Sequence, residues 1–578
     1  MDFLGELNKA QQRAATAGDG PVLIVAGPGT GKTKTLAARI AYLIAGANVP
    51  PAQILALTFT KKAAEEMRQR VNILLASGGK SPTALPYIST FHALCHELLG
   101  GQELQFVSEP ARLDIIKKLP KPAALKGLST RELALKISRT KNMAETDPAL
   151  LQLAEAYDTA LHAQNGADFD DLLTRTRDLL TTDADARTRL QSRFTHLLVD
   201  EFQDTNVLQY ELLQLLRGND NVFVIGDPLQ SIYGFRGASG SIFDTFRQDF
   251  PQATAITLTI NYRSVPEVVQ LSNALFREAP DLEAHTKLGG QVCAVQVLNE
   301  YSEAAWVVGE IQKAIGGGDF LQVVSDDDAR THRTLRDFAV LYRSRAAGLA
   351  VQRAIAESGL PYQVVGEGSP YDNPQVQAVI ALLRAHVHAD LPPHEGFTAS
   401  EWRHVLDVLA QSKTASPHTL AGNIIGALGL EITLALQQFL NGLTRFASVS
   451  AALAHLDAMS EQAFYDPTAD AVTLLTIHAS KGLEFPHVFL IAAEDGILPH
   501  ARSDIEEERR LFYVAATRAR ERLDITHTLR RGGKPAVVSP FVTALHDTVL
   551  PKHTDPNLAT DQRRAQKRAI KRSQQSLF

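Results

Sequence analysis

Eight consecutive residues, Ala26-Gly27-Pro28-Gly29-Thr30-Gly31-Lys32-Thr33, have the types and spacing to cradle a phosphate. The apolar run Val22-Leu23-Ile24-Val25 precedes them, so the stretch reads as a strand, a glycine-rich turn and a helix start. Glycines at 27, 29 and 31 let successive N–H groups face one concavity, at a helix N-terminus whose dipole favours anions. Lys32 can reach the β- and γ-phosphates of a nucleotide, and the Thr33 hydroxyl can ligate Mg²⁺. Ala26 stands where the first glycine of this pattern usually lies. Far down the chain, Asp200 and Glu201 directly follow the apolar run Leu197-Leu198-Val199. Two carboxylates at the end of a buried strand, facing the turn, divide the chemistry. Asp200 would hold the Mg²⁺ shell, and Glu201 would orient and deprotonate an attacking water.

Other side chains offer recognition rather than bond breaking. Gln11, in Leu7-Asn8-Lys9-Ala10-Gln11, carries a donor and an acceptor suited to the N6/N7 edge of adenine, although alone it reads more readily as a surface residue. Phe59 and Thr60 end the run Ile54-Leu55-Ala56-Leu57-Thr58, and Phe91 and His92 end a third run near Leu85–Ile88. The stretch Val222–Gly226 leads into a turn holding Gln230, Tyr233, Phe235 and Arg236. There an amide and a cation suited to phosphate lie beside rings that can stack on bases. After Ala255–Leu258, Tyr262 could stack on a nucleobase and Arg263 could neutralise a γ-phosphate.

Positioning these groups requires alternating strands and helices. Buried runs entering helices, repeated along the chain, predict a doubly wound α/β domain with ligands at the strand carboxyl ends. Residues 93–189 turn helical and read as an insertion, in which Asp168-Phe169-Asp170-Asp171 is taken as a solvated acidic helix start. The α/β theme returns without a phosphate turn at Phe338–Arg343, Tyr362–Gly366 and Val472–His478. A second helical stretch interrupts it near 387–465, and Gly316–His332 reads as an exposed loop. The domains are therefore 1–92 with 190–275, inserted by 93–189, and 276–386 with 466–546, inserted by 387–465. Residues 547–578 form a basic tail.

The totals set bounds on what the chain can be. At 578 residues it holds about four domains of ordinary size. Hydrophobic content of 45% and charged content of 21% suit a globular protein, and a net charge of −6 means that any basic surface is local. Cys95 and Cys293 have no metal spacing and point to a reducing compartment. No apolar run approaches the ~18–20 residues that span a bilayer. A cytosolic protein is the expectation.

Taken in order, the strings resemble the UvrD/Rep/PcrA group of superfamily 1 DNA helicases. They are LNKAQ, AGPGTGKT, LTFTKKAAEEM, ISTFHALC, LLVDEFQDTN, VIGDPLQSIYGFRGA, NYRS, TIHASKGLEFPHVFL and EEERRLFYVAATRA. The likeness covers residues 7 to about 527 and implies two RecA-like parallel-sheet motor domains, each with a helical insertion. It implies ATP with Mg²⁺, adenine against Gln11 and Tyr262, and Glu484 on the ribose. Gln230 would sense the γ-phosphate, and Arg263 and Arg518 would contact it, Arg518 from the second motor domain. Single-stranded DNA would run past Phe59, Thr60, Phe91, His92, Tyr233, Phe235, Arg236 and His478. The family normally has Trp where Phe235 stands, which weakens stacking there.

The implied activity is ATP-driven 3′→5′ translocation and unwinding of 3′-tailed duplex DNA in repair, replication restart or recombination control. The short second insertion favours an alternative in which the motor mainly strips proteins from single strands. A clamp-recruited adaptor with a vestigial ATPase is the reading from another class, but every hydrolytic position is present. Six basic residues within 562–573 suit phosphate contact or a solubilising end. The final Gln574-Gln575-Ser576-Leu577-Phe578 resembles a bacterial sliding-clamp peptide.

Overall fold

The computed structural model describes residues 2–77, 85–100, 105–107, 109–234, 237, 240–316, 333–365, 373–388, 399–412, 415–444, 446, 448–457 and 465–558. Phe235, Arg236, the loop expectation over 317–332, the basic stretch 562–573 and Gln574–Phe578 lie outside the described residues. Two compact units are formed, one from the described residues of Met1–Asn299 and Gly482–Phe578, the other from those of Glu300–Lys481.

In the first unit, short and largely apolar runs form strands, most of them buried on both faces. They are β1 (Val22–Ala26), β2 (Ile54–Thr58), β3 (Tyr87–Thr90), β4 (His196–Val199), β5 (Val222–Gly226) and β6 (Thr254–Leu258). The sheet is wholly parallel, in the order β3-β2-β4-β5-β1-β6. One face packs Ile24, Ile40 and Met67, and the other packs Leu23, Leu57, Phe202 and Phe246, so the inner strands are apolar nearly throughout, whereas the edge strand β6 alternates and buries only Ile256 and Leu258. Because the strands run the same way, Ala26, Val199 and Gly226 end on one edge. That edge brings the glycine-rich turn, Asp200-Glu201 and the Asp227–Tyr233 loop together.

Further strands are β7 (Ile260–Asn261), β8 (Glu283–Ala284), β9 (Gln291–Val297), β10 (Phe338–Tyr342), β11 (Tyr362–Val365), β12 (Val472–Thr476), β13 (Phe485–Leu490), β14 (Ala519–Thr528) and β15 (Lys552–Thr554). Within the first unit, β7 pairs with β8, and β13-β14-β9-β15 form a parallel array. Within the second unit, β11-β12-β10 are parallel. Five helices of that unit, from Pro374–His388 to Val449–Asp457, enclose a core with Leu383, Ile424 and Phe439. The class is the α/β, parallel-sheet one that the alternation predicts, consistent with the RecA-like domains that the resemblance implies. Among the described residues, no helix is long and apolar enough to cross a membrane.

Helices from Glu109–Lys118 to Ala184–Arg193 fill most of the segment between β3 and β4. A two-residue parallel pairing, Gln105–Phe106 with Gly166–Ala167, is too short to show as periodicity. The acidic stretch at Asp168–Asp171 corrects the sequence expectation of a solvated face. Asp168 does cap the helix Phe169–Thr182, its carboxylate accepting from the Asp171 N–H. Yet Asp168 and Asp171 are buried around the Lys141 ammonium at 2.9 and 2.7 Å, with Asp158 at 2.8 Å. Removing that lysine would strand buried anions, which costs about 3–5 kcal/mol. Asp158, His162 and Asp171 have metal-ligand proximity, but the ammonium already supplies their positive charge.

Candidate functional site

The turn after β1 depends on glycine at two positions. Gly29 (φ 69°) and Gly31 (φ 81°) lie in the left-handed region. A Cβ at Gly29 would stand 2.7 Å from the Arg263 Cβ, and one at Gly31 would stand 2.7 Å from Gln11 Nε2. Those glycines therefore admit their neighbours as well as turning the chain. Lys32 Nζ folds over the turn, donating to the carbonyls of Ala26 (3.2 Å) and Gly27 (3.4 Å). Thr30 Oγ1 donates to the Gly27 carbonyl at 2.7 Å, and Thr33 is half-buried in the first turn of the helix Lys32–Ala45.

A second segment is laced to this turn. Asn261 Nδ2 donates to the Pro28 carbonyl at 2.9 Å, and the Tyr262 N–H donates to the Gly29 carbonyl at 2.8 Å. Gln11 is buried within the Asn8 capping box, its Oε1 accepting from Asn8 N–H (3.0 Å) and its Nε2 donating to the Thr30 carbonyl (2.9 Å). Those bonds use one of its two amide hydrogens and one lone pair. The Tyr262 ring is 45% exposed, its hydroxyl accepts from Asn8 Nδ2, and it packs on His285 with centroids 4.6 Å apart.

The carboxylates gather at the ends of β4 and β5. Asp200 is buried and accepts the Glu201 N–H at 3.0 Å. Glu201 holds a left-handed backbone (φ 48°, ψ 46°), a conformation costing about 1–3 kcal/mol that recurs at functional sites. Burial, and then the charge of Glu201, push Asp200 up to about 7 against the opposing pull of Lys32. Burial also raises Asp227.

Gln203, quoted within the sequence motif but given no role there, is fully buried and joins these groups. Its Nε2 donates to the Glu201 carboxylate, and its Oε1 accepts the Asp227 N–H at 2.8 Å. A Cβ at Gly226 would lie 2.3 Å from that Oε1, so the glycine is what lets the amide in. The available sequence signal was an amide two residues beyond an acidic pair, where one side chain can serve both a carboxylate and a backbone N–H.

Two guanidiniums close the site. Arg518 lies two residues beyond the helix Ile505–Ala516 and is 1% exposed. Its donors reach Val514 O, Leu483 O, Thr517 Oγ1 and, at 3.4 Å, Gln230 Oε1, all neutral acceptors. Burial first, and then the charge of Arg263, lower its pKa to about 9. Gln230 also donates to Asp227 at 2.7 Å. Arg263 donates through Nε to Glu484 at 2.6 Å and through a terminal nitrogen to the Thr517 carbonyl at 3.3 Å. Glu484, expected at a ribose, thus faces a guanidinium in this structure.

The rings expected to meet DNA are placed unevenly. Phe59 and Tyr233 stack on each other, 5.2 Å apart and 16° from parallel. Thr60, beside Phe59, accepts the Ala63 N–H at the start of the helix Lys61–Ser77. Phe91 departs from the expectation: at 6% exposure its ring belongs to the core with Leu57, Leu94 and Phe194, leaving no free face for a base. His92 is half-buried and lies T-shaped against Phe169, which is 56% exposed and stacks on Phe106 at 5.3 Å. Phe169 carries no signal of its own in the sequence, where acids flank it on both sides. His478 lies half-buried just beyond β12, in the second unit.

Residues 7–251 match the UvrD/REP helicase N-terminal domain, and residues 256–390 with 424–530 match the UvrD-like helicase C-terminal domain. The chain is 30% identical to the ATP-dependent DNA helicase PcrA of Bacillus subtilis, over 92% of this chain and 84% of the relative. It is 29% identical to the ATP-dependent DNA helicase UvrD1 of Mycobacterium leprae (92% and 84% covered) and to PcrA of Staphylococcus aureus (97% and 89%). With the phosphate turn, the acidic pair and both arginines gathered at one sheet edge, the chain belongs to the UvrD/Rep/PcrA family of superfamily 1 helicases, ATP-hydrolysing enzymes that act on DNA.

Proposed function

We propose that this enzyme moves 3′→5′ along single-stranded DNA, opening 3′-tailed duplexes during repair, replication restart or recombination control. One observation carries the reading. Gln230, which touches Arg518, and Tyr233, which stacks on Phe59, are separated by two residues of one loop, so nucleotide and strand would be read by the same segment. Gln11 keeps one amide hydrogen and one lone pair for an adenine edge, beside the exposed Tyr262 ring. Lys32, Arg263 and Arg518 offer cations to the phosphates, and Glu201, fixed by Gln203, is placed to take a proton from water.

A divalent cation fits the donors. Asp200 and Thr33 present hard oxygens, and a carboxylate that burial and Glu201 push up to about 7 would be returned to its charged form by a divalent cation beside it. Mg²⁺ there would offset phosphate charge. Its binding must displace a proton, so with a non-hydrolysable ATP analogue Mg²⁺ affinity should fall about tenfold per unit well below pH 7 and level off above it. A flat profile sinks the assignment. The stability of the cation-free fold runs the other way. Between 3.8 and about 7 the folded state binds this proton more tightly than the unfolded chain, so raising the pH removes that contribution.

In this reading the RecA-like domains expected from the sequence form the motor, with Phe59, His92 and Tyr233 as base platforms and Phe169 added to them. The deciding experiment measures ATPase with and without single-stranded DNA, beside unwinding of 3′-tailed and 5′-tailed duplexes. DNA stimulation with opening of 3′-tailed substrate alone is the expected result; opening from 5′ tails reverses the polarity, and no stimulation ends the translocase reading. A second reading, protein stripping with little unwinding, is favoured by the shortness of the second insertion, expected at 387–465. It predicts translocation without strand separation in the same assays. The clamp contact through Gln574–Phe578 stays a proposal, and equal clamp recovery after deleting Leu577 and Phe578 would end it.

A further inference from the structure

The helix Ile505–Ala516 touches the loop after β5 at two backbone points that the sequence motifs leave without a role. Glu507 Oε1 accepts the Gly234 N–H at 3.0 Å, and Arg510 Nε donates to the Ser231 carbonyl at 2.8 Å. These bonds bracket Tyr233, the residue whose ring stacks on Phe59. Glu507, Arg510 and Val514 are spaced i, i+3 and i+7, which puts them on one helix face. Val514 supplies the carbonyl that holds Arg518 Nε at 2.9 Å. The start of the helix is itself fixed, with Asp504 capping the N–H groups of Glu506 and Glu507.

We infer that Glu507 is a positioning residue: through this helix it couples the place of Arg518 at the nucleotide to the place of Tyr233 on DNA. The helix is a strut about 10 Å long between Glu507 and Val514. A hydrogen-bonded helix transmits displacement along its axis rather than absorbing it, so a shift of Arg518 on meeting phosphate is delivered to the backbone at Ser231 and Gly234. The contact is also fitted for closeness. A Cβ at Gly234 would lie 2.9 and 3.0 Å from the two carboxylate oxygens of Glu507, so the glycine is what admits the acid.

The inference rests on the 231–234 loop being a DNA contact, and the test separates the two. Full-length protein is assayed for ATPase across a titration of oligo-dT, with DNA-free turnover and nucleotide-free oligo-dT affinity measured beside it. Glu507→Ala should lower DNA stimulation about tenfold, within the range usual for coupling between sites, while DNA-free turnover stays within about twofold. Gly234→Ala should do the same from the other side, because the new methyl displaces only the end of a flexible side chain. Glu507→Gln should restore most of the stimulation, since an amide oxygen accepts the same N–H.

Parental stimulation in either alanine variant overturns the strut, as does a Glu507→Gln variant no better than Glu507→Ala. Tyr233→Ala serves as the control for the underlying reading. If it leaves oligo-dT affinity and stimulation untouched, the loop is not the DNA site and both ideas fall. If it weakens both while Glu507→Ala does not, the strut alone falls.

Discussion

Glu201→Gln should stop ATP turnover while leaving ATP bound. The amide keeps the shape of the side chain and can still meet Gln203, but it cannot accept a proton from water, and general-base contributions are worth about 10²–10⁴ in rate. The loss should appear in kcat, with nucleotide affinity held within about threefold, because binding rests on other groups and uniform binding would show in KM instead. A second consequence follows from charge. Glu201 is the largest electrostatic contributor, after burial, to the raised pKa of Asp200, so the variant should bring Asp200 down and flatten the Mg²⁺ profile near neutrality. Equilibrium binding of a fluorescent ATP analogue beside steady-state turnover checks the first claim. Undiminished hydrolysis removes Glu201 from its assigned role.

Arg518→Met should cost about 10³-fold in kcat, the lower range for arginines that meet transferring phosphoryl groups, without costing stability. The second half of that expectation comes from burial. Arg518 is 1% exposed and its hydrogen bonds end on neutral acceptors, and burial together with Arg263 depresses its pKa to about 9. A cation held in such surroundings strains the fold, and replacing it with an apolar chain of similar length is commonly neutral or stabilising. Arg518→Lys should fall between the parent and Met, because it keeps a charge but loses the planar fork. Thermal melting and ATPase on the same samples decide the matter. A lower melting temperature with retained kcat would make Arg518 a structural residue.

Several features of the site are written in local chemistry. A β-branched run closing on Gly-Lys-Thr can only turn as it does because Gly29 and Gly31 accept positive φ, and that requirement is visible residue by residue. The Asp200-Glu201 pair at the end of an apolar run is equally local, since a parallel strand buried on both faces delivers its next residues to the ligand edge. Phe91 shows the limit of that logic. A ring after a strand looks the same on paper whether it faces solvent or core, and here the packing of Leu94 and Phe194 takes it inward. The burial of Asp168 and Asp171 is hidden from local pattern for a similar reason, because Lys141, whose ammonium pairs with them, is 27 and 30 residues away in the chain.

What the order of residues determined by itself was the α/β class, the phosphate turn, the acidic pair, and the rings and arginines available for nucleotide and strand. Each of these follows from short-range rules of backbone freedom and burial. Only the tertiary structure decided which of them meet: Gln203 bridging Glu201 and Asp227, Arg263 resting on Glu484, Arg518 reaching Gln230, and Glu507 holding Gly234. Those partners lie from two to nearly three hundred residues apart, and hydrogen bonds act over about 3 Å. Local pattern can name the groups, but only the closing of the chain brings their atoms within that reach.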